Sequence, residues 1–264
     1  MIPTKHAIVR EKNQKLVRHS PASGAGNVEW LASVGADSGV LLLGGTSLAD
    51  FRIRVAQSQL RYDMTPSCWS AAGILTRGGV WTAPLMANLS SVPKHNAIEL
   101  IELTNFADPE EWPNLAVLRF ASQPEDVTKQ IERLREQRSI ADLPSLIPPW
   151  LGFIWGTREA ANPLLAGIGL PSAAFVETAH ALAEIELTPS LASTASCPEA
   201  IWQSARYWYE YYRTTARERG SNAAHPVGDY VVRQPSAAVR LPEKPDGPPS
   251  RKAGPRPGRS ARRK

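Results

Sequence analysis

The chain has little cysteine, no long apolar run and no metal-ligand spacing. Only two of its 264 residues are cysteine, Cys68 and Cys197. So few, so far apart, do not form a disulfide framework, and a reducing, cytoplasmic setting is the expectation. The N-terminal Met1-Ile2-Pro3-Thr4-Lys5-His6 lacks the apolar stretch of a signal peptide. The most apolar region, 143–170, is interrupted by Pro148, Pro149, Arg158, Glu159 and Pro163. No apolar run of about 18 residues remains, so no transmembrane helix is expected. There is no C-x-x-C and no H-x-x-x-H, which leaves no expected metal site and no expected cofactor. Gly44-Gly45 and Gly78-Gly79 are not followed by Lys-Ser/Thr and read as turns, not phosphate loops.

What is present suits one packed domain with appendages. Apolar residues make up 42% of the chain, enough for a core, and eight are tryptophan. The net charge of +5 is concentrated at one end. Residues 240–264 hold nine Lys/Arg and two Asp/Glu, a net of +7, so the rest of the chain carries +5 less +7, or −2. This end is also rich in Pro, Gly and Ser, which predicts a disordered tail over 221–264. Such a tail suits contact with an acidic partner, nucleic acid or anionic lipid, or serves only to solubilise. The body shows no zinc spacing, helix-turn-helix pattern or aromatic–basic stripe. Residues 1–28 are polar and form a variable leading segment, which leaves 29–220 as the domain.

Apolar runs bounded by turn residues predict strands at 40–43, 71–75, 80–83, 97–103 and 114–120, with a further candidate at 227–234. Helices are expected from Thr46 or Ser47 to about 60, with Phe51 and Val55 inward, and over 123–138, 172–186 and 197–219. The alternation over 51–55 fits a strand nearly as well. Residues 30–39 read as a lead-in turn region and 140–170 as irregular. Short neighbouring strands followed by helices indicate an α+β class with a small antiparallel or mixed sheet.

The chemically suggestive stretch is Ser196-Cys197-Pro198-Glu199. Ser196 and Glu199 have capping-box spacing, Pro198 suits a first helical turn, and Ile201, Trp202 and Ala205 continue an apolar face. A thiol at a helix start lies at the positive end of the macrodipole, which favours thiolate. The plainer alternative is a buried, inert cysteine.

Three segments carry a family resemblance: Val40-Leu41-Leu42-Leu43-Gly44-Gly45, Trp69-Ser70-Ala71-Ala72-Gly73-Ile74-Leu75 and Ser196-Cys197-Pro198-Glu199-Ala200-Ile201-Trp202. Over about 38–213 they resemble the circularly permuted papain-like hydrolases of the NlpC superfamily, related to the lecithin–retinol acyltransferase fold. The resemblance implies a papain-like frame with histidine before cysteine in the chain. It implies Cys197 as nucleophile, a base on the Trp69-Ser70 strand, and a peptide, amide or acyl substrate. It also implies that Trp69, Ser70, Ala71, Glu199 and Trp202 line the substrate site. The chain departs from the family where a histidine belongs, because Ala71 stands there.

Without an imidazole the thiol lacks a general base, a contribution typically worth ~10²–10⁴ in rate. His180, on the preceding helix, is the named substitute, with His95 beside the strand at 97–103 as the other candidate. Cys68 is a second structural thiol or a redox partner. Two readings follow: a thiol hydrolase through Cys197 and His180, or a catalytically inactive domain that binds in the former cleft, with 143–156 as one wall. A third makes the basic tail the working part.

Overall fold

A computed structural model describes residues 26–33, 38–85, 95–120, 124–157, 160–219 and 227–233. The tail expectation lies outside the described residues, apart from the segment 227–233. In chain order the elements are α1 (Asn27–Ser33), β1 (Gly39–Gly44), α2 (Leu48–Ala56), β2 (Ala71–Thr76), β3 (Gly79–Thr82) and β4 (Glu99–Ile101). They continue with β5 (Asn114–Phe120), α3 (Pro124–Glu136), α4 (Leu143–Ile154), α5 (Pro171–Ala181), α6 (Pro198–Arg219) and β6 (Val227–Arg233). The six strands form one sheet in the order β4-β3-β2-β1-β5-β6. Every pairing is antiparallel. The class is α+β.

β1 is the centre of the sheet, and its sequence shows why. Side chains alternate between faces along a strand, and here both faces are covered. Val40 and Leu42 point into the main core with Ala72, Ile74, Ala116 and Leu118. Leu41 and Leu43 point the other way, into a smaller core with Trp30, Leu31, Val80, Leu115 and Val117. A strand buried on both sides is apolar throughout, as Val40-Leu41-Leu42-Leu43 is.

Helix α5 lies across the main face, packed on β2 and β3. All of its residues from Pro171 to His180 are buried. The other face is covered by α1 and the short turn at Leu103–Phe106.

Several expectations are corrected. Residues 27–33 form a helix where a turn region was expected. Its start is fixed from far along the chain: the Asn27 side-chain amide donates to the carbonyls of Phe106, Asp108 and Trp112. Residues 143–154 are helical despite Pro148 and Pro149. Leu143, Ile147, Trp150 and Ile154 recur on one side and are buried, and that burial outweighs the two missing backbone donors. One side of the 143–156 segment is therefore core, with Trp150 Nε1 donating to the Gly169 carbonyl at 2.8 Å, while Ser145, Pro148, Trp155 and Gly156 are exposed.

Residues 48–56 are helical, capped by Ser47, whose hydroxyl accepts from the Asp50 N–H. The inward positions are Ile53, Arg54 and Ala56, not Phe51 and Val55. Only 99–101 of the expected 97–103 strand pairs. β6 pairs along β5, so the sheet extends past the domain limit expected at 220.

Candidate functional site

The starts of α5 and α6 are held side by side. The Gly169 N–H donates to the Thr194 carbonyl at 2.8 Å, and the Leu170 N–H to the Ser196 carbonyl at 2.8 Å. A Cβ at Gly169 would lie 2.4 Å from the Ser196 oxygen, so only glycine permits this approach. Glu177, one and a half turns into α5, then closes the pair: Thr188 Oγ1 donates to its Oε1 at 2.6 Å and Ser196 Oγ at 3.0 Å.

The expected capping box is absent. The Ser196 hydroxyl is committed to Glu177, and the residue just before the helix is Cys197. The Glu199 N–H donates instead to Gln57 Oε1 at 2.8 Å. The Glu199 carboxylate accepts from Ser67 Oγ at 2.7 Å and Gln203 Nε2 at 2.6 Å, with Arg61 Nη1 at 3.5 Å. Gln57 also donates to the carbonyls of Ile53 and Trp69. Arg54, fully enclosed, donates to the Ser67 carbonyl at 2.6 Å. A polar seam of Arg54, Gln57, Arg61, Ser67, Glu199 and Gln203 thus joins α2, the loop at 61–70 and the first turns of α6. Burial pushes the Glu177 and Glu199 carboxyls up and the Arg54 guanidinium down from their ordinary values.

Cys197 sits in this packing with 1% of its surface exposed. Burial pushes its thiol up to about 12, against the smaller opposite pull of the Ala200 and Glu199 backbone. The rise from 9.0 is roughly 4 kcal/mol at about 1.36 kcal/mol per unit. The macrodipole offers about 0.3–1 kcal/mol, so desolvation wins and the expected thiolate does not form. Cys68 is also buried and raised, mainly by desolvation; neither cysteine is in a disulfide.

His180 is buried on α5, and its Nδ1 donates to the Val176 carbonyl at 2.8 Å, one turn back. Burial pushes it down to about 4. An imidazole whose proton affinity is lowered by burial is a weaker base than an exposed one. His95 is exposed, in the turn before β4 that packs against α3 and α4.

Of the residues expected to bind substrate, the structure brings Trp69 and Trp202 together, edge to face at 5.2 Å between centroids. Both are buried. Ser70 is buried, accepting from the Gly45 N–H at 3.1 Å while its own N–H donates to the Leu43 carbonyl. Ala71 opens β2. Glu199 belongs to the polar seam. Trp69, Ser70, Glu199 and Trp202 are buried in the interior, and Ala71 is partly exposed.

Sequence reasoning passed over Ser172, whose Oγ accepts from the Ala72 N–H at 3.3 Å. The helix start that meets the Ala71 strand is therefore that of α5. It also passed over Gln57, Arg54 and Glu177; the only signal was polar residues at positions that helical spacing turns inward. Among the described residues no cluster of three His, Cys, Asp or Glu could hold a metal ion, and no helix is long and apolar enough to cross a membrane. The chain matches no protein-family model, no curated protein and no solved structure.

Proposed function

We propose that this chain is a non-catalytic binding domain on a permuted papain-like frame, in which the cysteine at the start of α6 serves packing. The observation that carries the reading is the enclosed Cys197 sulfur, its thiol pushed up to about 12. A nucleophile needs thiolate and access; this sulfur has neither. Support for the frame comes from the contact of the α5 start with β2 beside Trp69-Ser70-Ala71. At that contact stands a serine hydroxyl that accepts a backbone N–H, opposite an alanine, with no base. Support for binding comes from exposed apolar side chains on one side of the body. Leu48 and Val55 lie one turn either side of Arg52 on α2, and exposed Trp155 follows Ile154, whose carbonyl accepts from Arg52 Nη1. Side chains of this kind, where they join into one patch, suit macromolecular contact.

The test is the rate of iodoacetamide alkylation at Cys197 against pH, in the Cys68→Ser background. No labelling of the native protein near neutral pH, with labelling on unfolding, is expected. Labelling that titrates below about 8.5, the ordinary thiol value, would overturn the proposal and return the chain to the thiol hydrolases acting on a peptide, amide or acyl substrate.

A further inference from the structure

The first half of α6 is built into the core, but its middle carries aromatic rings on the outside. Tyr207 and Tyr211 are 59% and 48% exposed. Their rings stack, 6.1 Å between centroids and 16° from parallel. Trp208 meets both edge-on, at 5.2 Å and 5.9 Å. One turn earlier the same helix shows the contact such rings favour: the Arg206 guanidinium lies over the Trp202 ring, 5.5 Å from its centroid. Carboxylates flank this aromatic ridge. Glu210 stands between the two tyrosines in sequence, 3.4 Å from Arg206 Nη2. The Ser204 hydroxyl donates to the Leu187 carbonyl, which brings the turn with Glu184 and Glu186 alongside the helix; both are exposed.

The sequence that follows has the complementary chemistry. β6 packs against α6, so Arg233 leaves the sheet on the body that carries the ridge. Residues 240–264 contain six prolines and nine Lys/Arg against two acids. Proline rings lie flat on aromatic faces, guanidinium groups stack on them, and the ridge carboxylates are opposite in sign to the surplus charge of that sequence. Residues 234–239 span up to about 20 Å when extended, long enough to bring residue 240 to a helix that touches β6.

We propose that the Tyr207–Tyr211 ridge is the docking site of the chain's own Pro- and Arg-rich segment 240–264. The proposal stands apart from the reading of Cys197: it holds whether or not the chain is an enzyme.

The test attaches a nitroxide to Ser260→Cys in the full-length, ¹⁵N-labelled chain, with the buried native cysteines checked as unlabelled. Loss of amide intensity around 204–211 is expected, restored by Tyr207→Ser with Tyr211→Ser. It is restored as well by Arg256→Gln with Arg259→Gln, which leaves the folded body untouched. A mixture of nitroxide-labelled unenriched chain and unlabelled ¹⁵N chain should show no loss. Loss in the mixture would mean that the occupant is a second copy, and would overturn docking within one chain. Full intensity around 204–211 in the parent, or loss that survives both sets of substitutions, would also overturn it.

Discussion

At the scale of single residues, two buried groups give the stability opposite pH dependences. His180 is held neutral, pushed down to about 4 by burial, whereas in an unfolded chain it titrates near 6.5. Between these values the unfolded chain binds a proton that the folded chain does not. Stability therefore falls as pH drops from about 6.5 to about 4, by on the order of 3 kcal/mol. Glu177 works the other way. Its carboxyl is raised by burial, so above the unfolded value, about 4.3, the folded protein retains a proton that the unfolded chain has lost. Its contribution is fully present at low pH and is lost as pH rises through the folded value. Glu199 adds to that trend. Urea midpoints between pH 4 and 8 separate the two. His180→Gln should remove most of the acid-side loss below pH 6.5. Glu177→Gln, which keeps an oxygen to accept from Thr188 and Ser196, should flatten the decline toward neutral pH while leaving the share of Glu199. An unchanged slope below pH 6.5 in His180→Gln would contradict the burial of that imidazole.

At the scale of elements, the join between α5 and α6 is the most demanding packing in the chain. The two helix starts are tied by the backbone bonds of Gly169 and Leu170 and by Glu177. Gly169→Ala would drive a methyl group against the Ser196 backbone, where neither side can turn away. Overpacking of this kind costs about 1–3 kcal/mol, and the loss should appear as a lower denaturation midpoint with the sheet retained. Cys197, carried on the displaced segment, should become easier to alkylate; a Gly169→Ala protein as stable as the parent would show that the two starts are not locked together.

This join also marks how far the sequence could be read. β1, β2, β3 and β5 were legible because each is an apolar run between turn residues, and the local pattern suffices. α5 and α6 were legible from apolar spacing. α1 and α4 were not: one depends on Asn27 reaching carbonyls about 80 residues away, the other on burial that overrides two prolines. The site fared similarly. Trp69 and Trp202 are brought into contact by the fold, in the interior. The sequence placed Ser196 and Glu199 in a local capping box, yet their partners are Glu177, Gln57 and Ser67, all supplied by other elements. Local spacing cannot reveal a competitor brought in by the fold.

At the scale of the whole molecule, the sheet is completed by residues beyond the domain limit expected from composition. β5 carries Leu115, Ala116, Val117 and Leu118, all buried, between β1 and β6. β6 supplies the outer row of hydrogen bonds from Leu115↔Arg233 to Phe120↔Val227, and Val232 enters the main core. Removing β6 would turn β5 into a long apolar edge with free N–H and C=O groups, the arrangement most prone to pairing with another chain. A chain ended at 220 should therefore melt lower than one ended at 239 and self-associate, whereas the one ended at 239 keeps β6 and should remain monodisperse. Sedimentation velocity with thermal denaturation reads both properties on the same samples. If the chain ended at 220 were monodisperse and melted with the one ended at 239, β6 would be an accessory to the sheet rather than part of the fold. If it aggregates, the smallest folded unit runs at least to Arg233, and the basic segment is joined directly to the edge strand of the sheet instead of following a free helix end.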